Sequence, residues 1–593
     1  MVRISERLAA LRAAMKEHQI DAWIVPSSDP HQSEYVAEHW TGRAWASGFS
    51  GSAGTLVVLG EQAGLWTDGR YFIQAEQELQ GTGVQLMREG NAGVPTMGEW
   101  LQAQLESGST IGFDGKTMSL AAVRRLEKSF GNRSFVINSD RDLLEGIWTD
   151  RPSLPAEKVF LHEDHYAGRT REQKFEQVRK AMAAKGADHL LISSLDDIAW
   201  LFNLRGSDIE CNPVFLAYTI FSKDQVQLYI NDARIEPVAL QALKASNVVM
   251  RSYDAIAADL GKLAGGSTIQ LDPATTSRWL IESLPESVQI IEGASPSNLM
   301  KAVKNEVEIA SMKHCHRRDG VAIVRFMRWL EGAIPTRAED EVSLDEKLEG
   351  FRAESPEFKG PSFPTIAGYG PNGAICHYRA EKATCLTVEP RGLLLVDSGG
   401  QYPDGTTDIT RTFACGDMTD EEKRDYTLVL KSHINLAKAR FKKGARGIQL
   451  DMMTRMPLWE LGMDFNHGTG HGVGYFLNVH EGPQSVSPRC LDVPLKPGML
   501  ITNEPGMYRA GKHGIRIENI MLVTEDMENE FGQFYKLEPL TLAPIDTKPL
   551  VMDLLTGEEV EWLNQYHAKV LKELSGVLDG DDLVWLKEAT QAI

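Results

Sequence analysis

A helix-like segment followed by a short apolar run occurs twice in the chain, 167 residues apart. The first copy is LRAAMKEHQIDAWIVPSSD (11–29), and the second is VRKAMAAKGADHLLISSLD (178–196). In both copies apolar residues at helical spacing precede a run that is typical of a buried strand. Further on, DGR (68–70) and DAR (232–234) each follow another strand-like segment. A repeat of this length predicts two α/β domains of one kind in the first 300 residues.

The rest of the chain has a different pattern. A long helical pattern begins near residue 300, and short apolar strands separated by Gly, Pro and Asp follow from 363 to 542, with one helix around 420–442. Two helical stretches make up the tail, and the first has an apolar stripe, which predicts a docked or dimer-covering helix. The stripe consists of Val560, Leu563, Tyr566, Val570 and Leu574. With a linker at DRPSLPAEK (150–158), the expected division is 1–155, 156–300, 301–545 and 546–593.

Composition excludes several classes of protein. With 42% hydrophobic and 24% charged residues, the 593-residue chain is not mainly disordered. Its net charge of −20 argues against a protein that binds nucleic acid or anionic membrane. Six scattered cysteines without a CxxC pair fit a reducing compartment. There is no signal-peptide pattern and no 18-residue apolar run, so we expect no membrane span and a cytoplasmic location.

The segment LLLVDSGGQYPDGTTDITRTF (393–413) predicts a β-hairpin. If Gly400 pairs with Gly405 across a four-residue loop, Asp397 lies opposite Asp408, with Cβ atoms about 4.5–5.5 Å apart. Two carboxylates that close repel each other, and a cation between them removes the penalty. The alternative is two separately solvated aspartates.

Three histidines fall within a glycine-rich segment, NHGTGHGVGYFLNVHEGP (466–483). Its glycines make a regular helix costly, so we expect an extended or looped segment that brings His467, His471 and His480 near one another. Imidazole is a good ligand for Mn, Fe, Co or Zn. A lone histidine is more often structural, but three of them here favour a functional site.

Two glutamates follow in ITNEPGMY (501–508) and HGIRIENIMLV (513–523). Glu504 precedes a Pro-Gly turn, whereas Glu518 is expected inside an apolar strand, on the same face as Arg516. A buried carboxylate needs a partner. That partner is either Arg516 or a metal ion.

Together these segments supply four carboxylates and one imidazole, enough to hold two divalent cations. Oxygen-rich ligation with one nitrogen suits Mn²⁺, Co²⁺ or Fe²⁺ better than structural zinc, and of these we expect Mn²⁺. Two metals at about 3.5–4 Å activate water and polarise a carbonyl, which is hydrolytic chemistry. The candidate ligands are Asp397, Asp408, His471, Glu504 and Glu518.

In this order and spacing the ligands resemble those of the pita-bread metallopeptidases. Nearly the whole chain is similar to the three-domain, cytosolic-type Xaa-Pro aminopeptidases (aminopeptidase P). Similar stretches include SGFSGSAGTLVV, LWTDGRYFIQA, ICHYRAE, HGTGHGVGYFLNVHEGP and NEPGMY. The resemblance implies an α/β (α+β) chain with two creatinase-like N-terminal domains, a pita-bread catalytic domain and a C-terminal helical extension.

The resemblance also implies a role for each candidate ligand. Asp408 and Glu518 would bridge both metals, Asp397 would complete one metal site, and His471 with Glu504 would complete the other. Glu504 would also be the general base toward the attacking water. All five positions match the family pattern.

The implied substrate is a peptide with proline at its second position, and the implied assembly is a homodimer. His377 and His480 match histidines that contact substrate and stabilise the tetrahedral intermediate. His467 matches a histidine that lines the proline side of the pocket, and Arg516 is expected to orient the metal carboxylates.

Three other functions remain open from the sequence. A prolidase would cut Xaa-Pro dipeptides, but the three-domain length and the helical tail favour the aminopeptidase. A binding protein on an inactive peptidase fold would have lost a ligand, and none is lost. A creatinase-type amidinohydrolase would not need two metals.

Overall fold

The computed structural model describes residues 3–593. The chain divides into two compact units. The first unit comprises the residues up to His162 together with Arg169–Asn298, and the second, here the C-terminal unit, comprises Glu163–Gly168 and Leu299–Ile593. No helix within residues 3–593 combines the length and the apolar character needed to cross a bilayer.

From residue 3 onward, the first α/β domain contains one six-stranded sheet and five α-helices. Its strands are β1 (Ala22–Pro26), β2 (Thr55–Leu59), β3 (Ala63–Thr67), β4 (Gln85–Arg88), β5 (Thr110–Phe113) and β6 (Val136–Asn138). Its helices are α1 (Ile4–Glu17), α2 (Gly42–Ser47), α3 (Phe72–Glu78), α4 (Met97–Gln104) and α5 (Leu120–Ser129).

The second domain begins with a short strand and contains a second six-stranded sheet. The elements up to residue 302 are β7 (Phe160–Leu161), α6 (Asp164–Ala167), α7 (Arg171–Lys185), β8 (His189–Ile192), α8 (Leu195–Phe202), β9 (Leu204–Arg205), β10 (Tyr218–Ser222), β11 (Val226–Tyr229), α9 (Pro237–Ala245), β12 (Val248–Arg251), α10 (Ile256–Leu260), β13 (Thr268–Leu271), α11 (Arg278–Glu282), β14 (Gln289–Glu292) and α12 (Pro296–Ala302).

The two sheets share one topology, which confirms the predicted repeat. The strand orders are β4-β3-β2-β1-β5-β6 and β12-β11-β10-β8-β13-β14. In both sheets the strand of the repeated segment pairs antiparallel on one side and parallel on the other. The repeated strands begin at Ala22 and His189, the same 167 residues apart. Both strands are almost entirely buried, as their short apolar runs predict.

The C-terminal unit is built from short strands and long helices. Its remaining elements are α13 (Glu306–Ala333), α14 (Glu341–Ala353), β15 (Ile366–Tyr369), β16 (Leu393–Ser398), β17 (Gln401–Tyr402), β18 (Gly405–Thr406), β19 (Ile409–Ala414), α15 (Asp420–Ala437), β20 (Arg440–Lys442), α16 (Gly447–Trp459), β21 (Gly470–Gly472), β22 (Glu481–Val486), β23 (Leu500–Asn503), β24 (Gly506–Arg509), β25 (His513–Arg516), β26 (Asn519–Asn529), β27 (Gly532–Pro539), α17 (Gly557–Leu574) and α18 (Gly580–Ala589).

The strands of this unit form two main sheets and three two-stranded ribbons. The main sheets have the orders β15-β16-β19 and β20-β27-β26-β23, and the ribbons are β17-β18, β21-β22 and β24-β25. Helix α17 docks on the same unit, because Leu563, Tyr566, Val570 and Leu574 are buried in a core that includes Val429 of α15. Docking confirms the first alternative for the apolar stripe of the tail.

Helix α16 was missed by the sequence analysis, which predicted one helix between 363 and 542. Pro457 lies inside α16, and a proline within a segment argues against a continuous helix there. A proline at this position leaves the carbonyl of Met453 without its helical donor. In the fold, the side-chain amide of Asn435 donates to that carbonyl at 3.3 Å. A tertiary contact from α15 thus compensates for the lost helical hydrogen bond.

The predicted register of the 393–413 hairpin is wrong by two residues. Tyr402 pairs with Gly405 across a two-residue turn, and Asp397 therefore faces Thr410 instead of Asp408. Because the turn is two residues shorter than the predicted four-residue loop, strand pairing continues as far as Tyr402 and Gly405. Opposite Asp408 lies Gly399, where a Cβ atom would come within 2.0 Å of the Thr407 carbonyl oxygen. Only glycine allows this close approach of the two strands.

Candidate metal centre

Three of the four predicted carboxylate ligands lie where a strand is interrupted. Asp408 lies between β18 and β19, Glu504 between β23 and β24, and Glu518 between β25 and β26. The sequence analysis placed Glu518 inside one continuous strand, which is wrong. At an interruption the backbone leaves the ladder, so a side chain can turn into the space between sheets.

The two glutamates face each other across one interrupted ladder. On one side of the gap Asn503 pairs with Asn519, and on the other Gly506 pairs with Arg516. Glu504 and Glu518 are the opposing positions between these pairs. Their register brings together two carboxylates that are fourteen residues apart in the chain.

His471 is brought to the carboxylates by a glycine contact. A Cβ atom on the preceding Gly470 would lie 1.9 Å from the carbonyl oxygen of Thr502. The backbone N–H of His471 donates to the Thr502 hydroxyl at 3.0 Å, and that hydroxyl donates to Glu504 at 3.0 Å. Nε2 of His471 lies 3.5 Å from Asp408 Oδ2 and 3.4 Å from Glu504 Oε1.

The tautomer of His471 suits ligation. Its Nδ1–H donates to the carbonyl of Gly472 at 2.7 Å, so Nε2 points toward the carboxylates. One ligand atom each from Asp408, His471 and Glu518 lie within 4.8 Å of one another. Such a group of oxygen and nitrogen donors could hold a divalent metal ion.

Asp397 belongs with these three residues because its carboxylate interacts electrostatically with that of Asp408. Its buried Oδ1 has no hydrogen-bond partner, whereas Oδ2 accepts a hydrogen bond from Arg516 Nη2 at 2.6 Å. Burial raises the pKa of Asp397, with Asp408 adding to the increase and Arg516 opposing it. A buried carboxylate oxygen without a donor costs free energy, and a cation supplies what is missing.

Two other candidate carboxylate ligands, Glu504 and Glu518, are affected by the same excess of negative charge. Burial is the main cause that raises the pKa of Glu504 and raises that of Glu518 well above its usual value, and neighbouring carboxylates add to both increases. Burial alone would lower the pKa of His471, but the hydrogen bond with Asp408 and the charge of Glu504 raise it to about 9. We name these five residues the acidic cluster: Asp397, Asp408, His471, Glu504 and Glu518. Its donors and its excess charge fit divalent cations.

Arg516 does not pair with Glu518, which was one of the two alternatives from the sequence. It donates to Asp397, and Glu518 instead accepts from the hydroxyl of Thr410 at 2.7 Å. Nη1 of Arg516 donates to the hydroxyl of Tyr508 at 2.6 Å. That hydroxyl in turn contacts Nε2 of His467 at 2.8 Å.

Two of the remaining predicted site residues, His467 and His480, lie next to members of the acidic cluster. The ring of His480 lies 4.3 Å from that of His471, between centroids. Nδ1 of His467 lies 4.0 Å from Glu504 Oε2. His377 directly follows Cys376, whose carbonyl accepts a hydrogen bond from Arg516 at 3.4 Å. Two histidines of the glycine-rich segment therefore lie beside Glu504 and the third lies beside His471, in an extended and looped segment as predicted.

Sequence reasoning missed His433, a fully buried residue of α15. Its Nδ1 lies 3.1 Å from the carbonyl oxygens of both Asn503 and Ile517. These residues directly precede Glu504 and Glu518, so one imidazole connects the two backbone segments that carry the glutamates. Nothing in a helical segment of the sequence distinguishes this histidine from a core residue.

Comparisons with known proteins agree with the geometry. Models of the creatinase/prolidase N-terminal domain match residues 7–141 and 150–308. The model of metallopeptidase family M24 matches residues 310–525, and that of the C-terminal region of this family matches 533–593.

The chain belongs to metallopeptidase family M24, with creatinase-like N-terminal domains and a pita-bread catalytic domain. Among its relatives, a protein of Talaromyces marneffei named probable Xaa-Pro aminopeptidase P is 42% identical over all of this chain and 93% of its own length. A protein of the same name from Aspergillus fumigatus shows the same identity and coverage.

Solved structures show the same relationship. The X-prolyl aminopeptidase of Caenorhabditis elegans, described as a cytosolic enzyme with a di-nuclear active site, is 35% identical, with a TM-score of 0.95 over all of both chains. An Xaa-Pro dipeptidase from Bacillus anthracis is 25% identical, with a TM-score of 0.51, and covers 64% of this chain and 99% of its own.

Proposed function

We propose that this protein is a dinuclear-metal Xaa-Pro aminopeptidase, which releases the N-terminal residue from peptides with proline at the second position. The observation that carries the proposal is the acidic cluster in a chain that matches an X-prolyl aminopeptidase over its whole length. The proposed metals are two Mn²⁺ ions, and the proposed ligands are the five residues of the acidic cluster.

Bound divalent metals would supply Lewis acidity to the scissile carbonyl and to the attacking water. The proposed role of Glu504 is to accept the proton of that water, and its position beside His471 supports this role. The positive charge of Arg516 on Asp397 holds that carboxylate in one orientation.

The proposed substrate contacts come from the histidines around the cluster. His377 and His480 would donate hydrogen bonds to the peptide carbonyl as negative charge develops there. His467, held through Tyr508, would line the pocket for the proline ring. An Xaa-Pro bond lacks an N–H group, so a pocket shaped for the ring selects it without needing that donor.

We also propose a cytoplasmic homodimer and retain the division at residues 155, 300 and 545. Side chains of α16 support the dimer: Met452, Met456 and Trp459 lie on one face of the helix and are about half exposed, and Leu461 extends that apolar surface. A second copy of the chain would cover the surface. Sedimentation of wild type and Met456→Asp tests this: a dimer that Met456→Asp converts to monomer supports the interface, whereas an unchanged mass excludes it.

The test of the activity uses enzyme that has been stripped of metal and then supplied with Mn²⁺. Release of free Xaa from a tripeptide Xaa-Pro-Yaa only after Mn²⁺ addition is the expected result. Cleavage of the dipeptide Xaa-Pro without cleavage of the tripeptide would instead identify a prolidase, to which the likeness to the dipeptidase points. Tight Mn²⁺ binding without hydrolysis of either peptide would leave a binding role.

A further inference from the structure

A buried ion pair connects Lys304, near the start of the C-terminal unit, to Glu481, the residue after His480. Nζ of Lys304 lies 2.5 Å from Glu481 Oε1, and both side chains are about 1% exposed. Nζ of Lys301 lies 3.7 Å from the other carboxylate oxygen, Oε2, and is equally buried. Burial of a charged side chain is expensive, so such a cluster is not a casual surface contact.

Lys304 is held at both ends. Its backbone N–H donates to the carbonyl of Gly498 at 2.9 Å, next to a bridge between Val303 and Met499. Its Nζ donates to the carbonyl of Lys301 at 3.0 Å as well as to Glu481. Hydrogen bonds therefore hold both the backbone of Lys304 and the ammonium group at the end of its side chain.

The two ends of this connection lead to two sides of the site. Met499 precedes β23, the strand that ends directly before Glu504. Glu481 begins β22 and pairs with Gly472, at a register shift next to His471. A rigid link from the 498–499 segment to Glu481 thus sets the position of His480 relative to His471 and Glu504.

We propose that Lys304 is a positioning residue, which acts through Glu481 to hold His480 against His471 for contact with the peptide substrate. The inference rests on the proposed function, because it takes His480 as a substrate contact. Lys304 is not itself a catalytic residue. It can fix the position of His480 because its ion-pair partner, Glu481, is the next residue in the chain.

The test compares Lys304→Met with Lys431→Met. Lys431 is also a mostly buried lysine, with its Nζ 2.7 Å from Glu559, but it joins α15 to the start of α17 and contacts none of the site residues. In Lys304→Met, Glu481 retains Lys301 as a counter-ion, so the variant removes the link without leaving an isolated buried carboxylate. Should Lys304→Met be insoluble, Lys304→Gln takes its place, with a smaller change expected in the same direction.

The first measurement is hydrogen exchange, which does not depend on activity. Peptides covering 474–482 are expected to exchange faster in Lys304→Met than in wild type and in Lys431→Met. Equal exchange in all three proteins would overturn the proposal. This measurement remains decisive if the wild type hydrolyses no Xaa-Pro peptide, a result that would reject the proposed function separately.

The second measurement is a double-mutant cycle with His480→Ala in Mn²⁺-loaded enzyme. Lys304→Met is expected to lower kcat/KM for Xaa-Pro-Yaa on the order of 10–100-fold, with both metals retained. In the His480→Ala background the same substitution is expected to change kcat/KM less than about twofold, since its target is gone. Equal losses in both backgrounds, or loss of a metal, would show that Lys304 acts by another route.

Discussion

Two groups of charged residues around buried carboxylates in the C-terminal unit have opposite balances of charge. The acidic cluster has four carboxylates, one imidazole and a nearby arginine, and the pKa values of three of those carboxylates are raised. In the second group, here the Asp425 cluster, Asp425 is surrounded by Arg509, His513 and Arg424. Burial would raise the pKa of Asp425, but hydrogen bonds from His513 and Arg509 hold it well below its usual value.

The difference shows which cluster is stable as it stands and which one needs a ligand. Arg509 and His513 belong to the β24-β25 ribbon, which lies in the chain between Glu504 and Glu518, and Asp425 anchors that ribbon to α15. The Asp425 cluster is thus complete within the protein and positions the acidic cluster. The acidic cluster holds excess negative charge that divalent cations would neutralise.

The largest expected effect is on activity, from Glu518→Gln. Losing one ligand should remove about 4 kcal/mol of transition-state stabilisation, or about a thousandfold in kcat/KM. The metal-free variant should nevertheless melt at or above the wild-type temperature, because the substitution removes a buried charge that its neighbours repel. Peptide hydrolysis and thermal denaturation in chelator test both parts. A marked drop in metal-free stability would show that Glu518 is structural, like Asp425.

The opposite pattern is expected for Asp425→Asn. Removing the carboxylate leaves Arg509 with only Glu421, at 3.6 Å, and takes the carboxylate acceptor from His513, which should cost about 3 kcal/mol of folding free energy. Chemical denaturation of the metal-free variant and wild type gives the number. A cost below about 1 kcal/mol would mean that solvent stabilises the charge of Arg509 once the carboxylate is removed. The Asp425 cluster would then contribute less to folding than the comparison implies.

Metal addition should separate the two clusters further. Mn²⁺ at 100 times its dissociation constant should stabilise wild type by about 2.7 kcal/mol. The same gain is expected in Asp425→Asn when metal is scaled to its own dissociation constant, and little gain is expected in Glu518→Gln at the wild-type concentration. Melting curves over a Mn²⁺ titration measure this. Equal stabilisation of all three proteins would place the metal outside the acidic cluster.

The smallest effect concerns acid pH. The folded-state pKa of Asp425 is lowered from 3.8, so its contribution to stability is fully present above pH 3.8 and is lost as the pH falls toward the lowered value. The stability difference between wild type and Asp425→Asn should therefore shrink below pH 3.8 by up to about 1.4 kcal/mol per pH unit. Denaturant titrations from pH 2.5 to 6 check this. A difference that does not vary with pH would remove the electrostatic explanation.

Much of the fold follows from local pattern. The repeated helix–strand unit is detectable because a buried strand and an amphipathic helix each leave a periodic signal in the chain. The long helix α13 and the tail helices α17 and α18 are predicted for the same reason. Helix α16 is not, because the amide that compensates for Pro457 comes from another helix. The predicted register of the hairpin was wrong because the length of the loop, and not its composition, decides which residues face each other.

The sequence by itself determined the identities of the candidate ligands, since carboxylates and imidazoles in apolar or glycine-rich segments are unusual and chemically specific. Tertiary structure decided how they meet. Glu504 and Glu518 face each other because the ladders on both sides of the gap share one register. His433 lies within hydrogen-bond distance of the backbone beside both glutamates. Arg516 donates a hydrogen bond to Asp397, and Lys304 donates one to Glu481. The contacts of His433, Arg516 and Lys304 each join residues at least 70 positions apart in the chain, and contacts at such separations leave no periodic signal in the sequence.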